Sequence, residues 1–252
     1  MRNWIIGNFP KHNVYVEPFG GAASVLLNKP PVEHEVYNDI EYSMFNLMLV
    51  IRDNVDSLLS KLQILEYCKP TYLSFKLVYL SEAFHELSSL DQAVATYVTR
   101  RMSRGGLCGT FSRSDRISKS GINAEAHAWH SAIGELILVS ERLKNVTITN
   151  DNAIGALQKY DSPNTVYYLD PPYLKETRVL LKAYKEEMTD EDHFKLSEIA
   201  KSLKGMVLIS GYPSSFYSSW YAGWRCAVRK IPNHSSHESV KELKDECLWM
   251  NF

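Results

Sequence analysis

The chain lacks the marks of several protein classes. Its four cysteines, at positions 68, 108, 226 and 247 of 252 residues, form no Cys-x-x-Cys pair. That spacing argues against a zinc site and against a disulfide framework, and a reducing, cytoplasmic setting is expected. No run of about 18 apolar residues occurs, so no membrane-spanning helix is expected. The opening ten residues are too short and too interrupted to be a signal peptide. Neither sign of charge is in excess: the formal net charge is −1, and any basic surface must be local. Internal repeats and low-complexity segments are absent as well. With 45% hydrophobic and 23% charged residues, what is there suffices for one large domain, or for a domain carrying an insertion.

The most informative stretch is 165–173, an apolar run that ends abruptly in Asp170-Pro171-Pro172-Tyr173. Residues 166–169 are β-branched, aromatic and aliphatic, as a buried strand requires. The prolines donate no N–H and cannot continue a ladder, so the strand stops at Asp170. In an open α/β sheet, ligands collect outside the carboxyl ends of the strands, which puts this carboxylate in the crevice. Asp170 offers acceptors only, and each proline leaves its C=O without a competing N–H. Tyr173 adds a flat ring. Together they suit a planar ring bearing an NH2 group, such as adenine or cytosine. The tetrapeptide also has the composition of a plain turn, so its weight comes from the rest of the chain.

Residues 14–16 read as a short strand, followed by Glu17, Pro18, Phe19, Gly20 and Gly21 and then by a helix-like segment at 25–28. Glycines at such a turn let the backbone approach a ligand, and a following helix presents N–H groups. The turn is not Gly-x-Gly-x-x-Gly, which disfavours a dinucleotide site. A second strand, 35–40, ends near Asp39. An acid there accepts hydrogen bonds from ribose hydroxyls, a reading favoured over an N-cap for the segment that follows.

From residue 44 the spacing turns helical, with Leu47, Ile51, Val55, Leu62 and Leu65 on one stripe. Pro70 opens another helical segment, and Ser89-Leu90-Asp91-Gln92 resembles a capping box for a helix through Arg101. Residues 53–145 are therefore expected to form an inserted, mostly helical domain, with 1–52 and 146–252 forming an α/β domain. Inside the insertion, 99–120 concentrates Arg100, Arg101, Arg104, Arg113, Arg116 and Lys119 against a single acid, Asp115. Arginines with hydroxyls such as that of Thr110 suit phosphate contacts. The glycines, Phe111 and Ile117 suggest a hairpin, and a two-stranded ribbon can enter the major groove of DNA.

Asn123 is placed to cap a helix running to Leu143, and 146–149 reads as a strand ending near Asp151, which is equally a turn residue and a crevice contact. Thr189-Asp190-Glu191-Asp192 opens a helix leading to a strand at 206–210. Two closing strands, 225–231 and 246–250, flank a loop whose His234, His237 and Glu238 read as solvated, so no metal is expected.

Glu17-Pro18-Phe19-Gly20-Gly21, Asn38-Asp39 and Asp170-Pro171-Pro172-Tyr173, in that order with a long insertion before the third, resemble the Dam-like DNA adenine methyltransferases (D12 class, alpha type). The resemblance covers nearly the whole chain. Arg104-Gly105-Gly106-Leu107 and Gly211-Tyr212-Pro213 are most similar to phage and prophage members. It implies a mixed seven-stranded, Rossmann-like class I methyltransferase sheet and S-adenosylmethionine as methyl donor. It also implies adenine N6 in double-stranded DNA as acceptor and target recognition by the insertion. By the same match Glu17 to Gly21 face the methionine part of the cofactor, Asp39 its ribose and Asp151 its adenine. Asp170 lies between cofactor and base. Family members usually begin with a Tyr-Pro-Gly-Gly-Lys-like segment, and this chain starts inside the helix that follows it, which leads to an expectation of weakened cofactor affinity. The competing expectations are a DNA-binding relative with weakened or lost activity, and another amino methyltransferase acting on cytosine N4, RNA or a protein glutamine.

Overall fold

A computed structural model describes residues 1–252 apart from 115, 119–120, 122, 178–186 and 233–242, and apart from the side chains of 175 and 232. In chain order the elements are α1 (Arg2–Ile6), β1 (Val14–Glu17), β2 (His34–Asn38), α2 (Tyr42–Asp53), α3 (Val55–Gln63), α4 (Lys69–Tyr79), α5 (Ala83–Glu86) and α6 (Ser89–Arg101). They continue with α7 (Ala124–Gly134), α8 (Leu136–Leu143), β3 (Val146–Thr149), α9 (Ala153–Lys159), β4 (Thr165–Leu169), α10 (Asp190–Ser202), β5 (Met206–Gly211), α11 (Ser215–Trp220), β6 (Arg225–Pro232) and β7 (Leu243–Met250). The chain divides into two compact units, Met1–Glu41 with Val146–Phe252, and Tyr42–Asn145. The division falls at Glu41, not at residue 52, because α2 packs on α6 and α8.

The first unit is built on a seven-stranded sheet in the order β3-β2-β1-β4-β5-β7-β6. Strands β3 to β5 run parallel, and β7 pairs antiparallel with both β5 and β6. This is the mixed Rossmann-like sheet that the strand pattern and the resemblance imply. All five residues of β4 are buried, which is why it reads as a continuous apolar run and not as an alternating one. One face packs Val16, Val36, Tyr167, Leu169, Val207 and Trp249 with Leu196, Ala200, Tyr217 and Tyr221. The order reverses between β1 and β4, whose neighbours on the far sides are β2 and β5. Such a switch point opens a crevice at the carboxyl ends of the strands.

In the second unit α2, α3, α4 and α8 surround α6 directly or through α2. Two long helical stripes are interrupted: the first breaks at Asn54 between α2 and α3, and the helix begun at Asn123 breaks at Glu135 between α7 and α8. Asn123 does cap α7, accepting the N–H groups of Glu125 and Ala126. The cap of α6 is Ser88, one residue before the expected Ser89; the Ser88 hydroxyl accepts the Asp91 N–H, while Ser89 donates to Asn46.

Two other expectations change. Residues 25–28 form turns and no regular helix, because the Leu26 N–H is taken by the Glu17 carboxylate and Pro30 and Pro31 end the segment. No two-stranded ribbon exists among the described residues of 99–120. After α6 the chain makes a single turn at Arg104–Gly106 and isolated bridges Ser103–Phe111 and Ile117–Asn123. Gly105, Gly106 and Cys108 all take positive φ, and the Tyr72 and Tyr67 hydroxyls occupy the carbonyls of Cys108 and Ser112. Those carbonyls would be needed for a ladder.

Candidate active site

β1 and β4 end side by side, and each delivers a carboxylate. Glu17, the last residue of β1, is buried; its Oε2 accepts the Tyr15 hydroxyl at 2.8 Å and the Leu26 N–H at 3.0 Å. Burial raises its pKa to about 8, with the nearby charge of Asp170 adding to the shift and the two hydrogen bonds opposing it. An unfolded Glu ionises near 4.5, whereas the folded one holds its proton until about pH 8. The stability associated with Glu17 is thus fully present below pH 4.5 and lost as pH rises toward 8. Glu17→Gln is expected to gain on the wild type by up to a few kcal/mol between pH 5 and pH 8. Urea unfolding of both proteins at the two pH values checks this, and equal pH slopes would contradict it.

The glycine turn that follows is shaped by its neighbours. Gly20 lies against the ring of Tyr37, and Gly21 has φ +47° with its Cα side open. Tyr37 donates its hydroxyl to the Gly21 carbonyl at 2.9 Å, and Gly21 donates its N–H to Asp39 Oδ2 at 2.7 Å. Asp39 Oδ1 accepts the Glu41 N–H at 2.8 Å. Asp39 therefore braces the turn.

Asn38, fully buried, joins three strand ends. Its Nδ2 donates to the Pro18 carbonyl at 3.0 Å and the Asp151 carbonyl at 2.9 Å. Its Oδ1 accepts the Asp151 N–H and the Thr149 hydroxyl, both at 2.8 Å. All of its amide capacity is used. Asp151 is thereby fixed by its backbone, with its residue exposed at the end of β3, and Asn152 caps α9. The sequence pattern assigns Asn38 no role of its own; its one signal is an amide at a strand end directly before an acid.

At the end of β4, Asp170 is exposed to the crevice while Pro171 is buried. Asp170 Oδ1 accepts the Ser210 hydroxyl at 2.8 Å, and the Ser210 and Tyr168 hydroxyls lie 3.2 Å apart. Desolvation by the surrounding protein raises the Asp170 pKa, and hydrogen bonding from Ser210, Tyr173 and Tyr168 opposes it. The Tyr173 hydroxyl donates to Glu246 on β7, and its ring meets Tyr212 edge-on at 4.8 Å and 84°. Next to Tyr212 is a cavity of about 340 Å³, lined also by Glu176, Thr177, Pro213, Lys244 and Asp245. Ser210 and Glu246 were not singled out by sequence; both act through contacts with residues about 40 and 73 positions away.

The structure brings Glu17, Pro18, Phe19, Gly20, Gly21, Asp39, Asp151 and the Asp170 to Tyr173 stretch to the carboxyl ends of β1 to β4 in one unit. In the other unit Arg104, Thr110, Arg113 and Arg116 are exposed. Arg100 and Arg101 donate to the carbonyls of Gly106 and Ala128. Beneath this loop Phe111 packs on Tyr67 and Tyr72, with ring centroids 5.2 and 5.8 Å apart. Lys119 and the segment with His234, His237 and Glu238 lie outside the described residues. Among the described residues no group of three or more His, Cys, Asp or Glu is arranged to hold a metal ion, and no helix is long and apolar enough to cross a membrane.

Comparison with known proteins agrees with this geometry. Residues 1–244 match the family described as D12 class N6 adenine-specific DNA methyltransferase. A DNA adenine methylase of Escherichia coli (strain K12) is 26% identical over 257 residues, covering 96% of this chain and 87% of the relative. A DNA adenine methylase of Salmonella typhimurium is 26% identical over 254 residues, with the same coverage. The chain belongs to the D12 class N6 adenine-specific DNA methyltransferases.

Proposed function

We propose that this chain transfers a methyl group from S-adenosylmethionine to the N6 amino group of an adenine flipped out of double-stranded DNA. The observation that carries the reading is Asp170-Pro171-Pro172-Tyr173 at the end of β4, beside the glycine turn of β1 and at the reversal of strand order. The turn fits a cofactor: Gly21 presents an open Cα side, and the acceptors Asp39 and Asp151 stand at the ends of the next two strands. In this reading residues 17–21 hold the methionine part, Asp39 the ribose and Asp151 the adenine. Bound there, the cofactor supplies an electrophilic methyl group.

The protein's own contribution is orientation and charge. An adenine inside a duplex cannot present its amino group in line with a methyl donor, so the base must leave the stack at a cost of about a few kcal/mol. Tyr173 recovers part of that cost by stacking. The Asp170 carboxylate and the Pro171 carbonyl accept the two N–H bonds of the amino group, which turns its lone pair toward the methyl. They also stabilise the positive charge that grows on nitrogen. Ser210 holds the Asp170 carboxylate in place through Oδ1. No covalent enzyme intermediate is required.

Target recognition is assigned to the second unit, whose loop carries Arg104, Thr110, Arg113 and Arg116 over an aromatic base. Arg113→Ala and Arg116→Ala are each expected to reduce the slope of log K against log salt by about 1. Cofactor affinity should stay unchanged. DNA titrations from low to moderate salt test this, and an unaltered slope would remove these two side chains from the interface. The reaction itself is tested by incubating the chain with methyl-labelled S-adenosylmethionine and unmethylated DNA, then digesting the DNA. Label in N6-methyl-2′-deoxyadenosine is expected; label in a cytosine deoxynucleoside, or none in DNA from folded protein, would overturn the proposal.

A further inference from the structure

Glu246 is out of place on β7. From Glu246 to Met250 the strand is buried throughout, and Leu248 and Met250 are completely covered. An aliphatic residue at 246 would suit that run, and a buried carboxylate costs stability unless it is used. The pairing of Gly211 with Cys247 sets Glu246 at the same sheet end as Asp170. Its carboxylate accepts the Tyr173 hydroxyl, and the Tyr173 and Tyr212 rings are perpendicular at 84°. Burial raises the Glu246 pKa to about 7, with the Asp170 charge contributing to the rise and the Tyr173 bond opposing it. Pro171 and Pro172 restrict the backbone before Tyr173, so what remains to be fixed is the side chain. A phenol bonded at its far end and packed perpendicular to a second ring is restricted in the orientations it can offer.

We propose that Glu246 is a positioning residue for methyl transfer: it acts through Tyr173, holding the phenol ring in the orientation that stacks on the flipped adenine. This inference rests on the function proposed above. Glu246 makes no contact with the base or the methyl group. It converts the closing β5–β7 pair into a brace for the motif at the end of β4. Cofactor binding, built from β1, β2 and β3, does not depend on it.

The test compares wild type, Glu246→Ala, Glu246→Gln, Tyr173→Phe and the Glu246→Ala/Tyr173→Phe pair, each checked for folding by circular dichroism and thermal melting. Steady-state transfer is measured on an unmodified DNA, and a second DNA with 2-aminopurine at the target position, which has no 6-amino group to methylate, reports stacking of the extruded base by its fluorescence. Glu246→Ala is expected to lower kcat by about 10- to 100-fold, the loss associated with a misplaced group, with an unchanged KM for S-adenosylmethionine and altered 2-aminopurine fluorescence. Glu246→Gln keeps an amide oxygen to accept the phenol and should restore most of kcat. Adding Glu246→Ala to Tyr173→Phe should cost nothing further. The inference is overturned if Glu246→Ala keeps wild-type kcat, if Glu246→Gln is as slow as Glu246→Ala, or if the double variant is slower than Tyr173→Phe. A wild type that leaves DNA unmethylated overturns the proposed function and this inference together, a result distinct from the other three.

Discussion

Asp170→Ala is expected to lose methyl transfer by about 10³-fold or more, because removing one group preorganised for transition-state charge costs about 10² to 10³ and the same carboxylate also orients the nucleophile. The fold should survive. Asp170 is exposed to the crevice and ends its strand, so its side chain supports no packing layer. Its raised pKa says that the folded protein resists its charge, and removing it should leave the melting temperature level or higher, increasingly so as pH rises past its ordinary value of 3.8. Cofactor affinity should be retained, since the turn residues and Asp39 are bonded among themselves. In the wild type the same shift predicts that transfer declines as pH falls through the raised Asp170 pKa, as the acceptor becomes protonated. Wild-type kcat in a folded Asp170→Ala variant would refute the mechanism.

Gly20→Ala is expected to be the most damaging single methyl addition in the chain's glycine turn. A Cβ at Gly20 would sit 2.1 Å from Tyr37 Cε2 and within 2.6 Å of two further ring atoms. Tyr37 cannot swing aside: it is completely buried, and its hydroxyl is tied to the Gly21 carbonyl. Either the ring leaves its position or the turn does, at about 1–3 kcal/mol or more for an overpacked site. Moving the turn also breaks the Gly21 to Asp39 bond. We expect a clear drop in melting temperature and a loss of S-adenosylmethionine binding of at least about tenfold, equivalent to about 1.4 kcal/mol. Tyr37→Leu should destabilise the wild type but recover part of the loss in the Gly20→Ala background. Calorimetric melts and cofactor titrations of the four proteins decide the matter; additive losses would place the damage elsewhere.

Most of the sheet was legible because its strands are short apolar runs that end in chemistry. β4 is read from its β-branched and aromatic residues and from the prolines that stop it, and β1 and β2 from the glycines and the acid that follow them. Helical stripes revealed the insertion but not its breaks at Asn54 and Glu135, where periodicity continues through a change of direction. The segment at 25–28 looked helical because local propensity favours it; the Glu17 carboxylate, nine residues back from Leu26, claims the N–H. The loop after α6 was read as a ribbon from its glycines, whereas tyrosines on α4 and before it decide its shape. Ser210 and Glu246 have no local signature, because their partners are distant in sequence.

Strand order also has a consequence for synthesis. β1 takes β4 as its neighbour, with Val14 beside Thr165, and β2 takes β3, with Glu35 beside Val146. As the chain leaves the ribosome, the whole of 42–145 emerges while β1 and β2 still have open edges. Pairing across so long a separation is slow and leaves the early strands exposed to association with other chains. The mostly helical unit, Tyr42–Asn145, is free to fold first. The glycine turn and Asp170 meet only afterwards, so a nascent chain stalled after the insertion and before residue 165 carries a complete helical unit but no crevice.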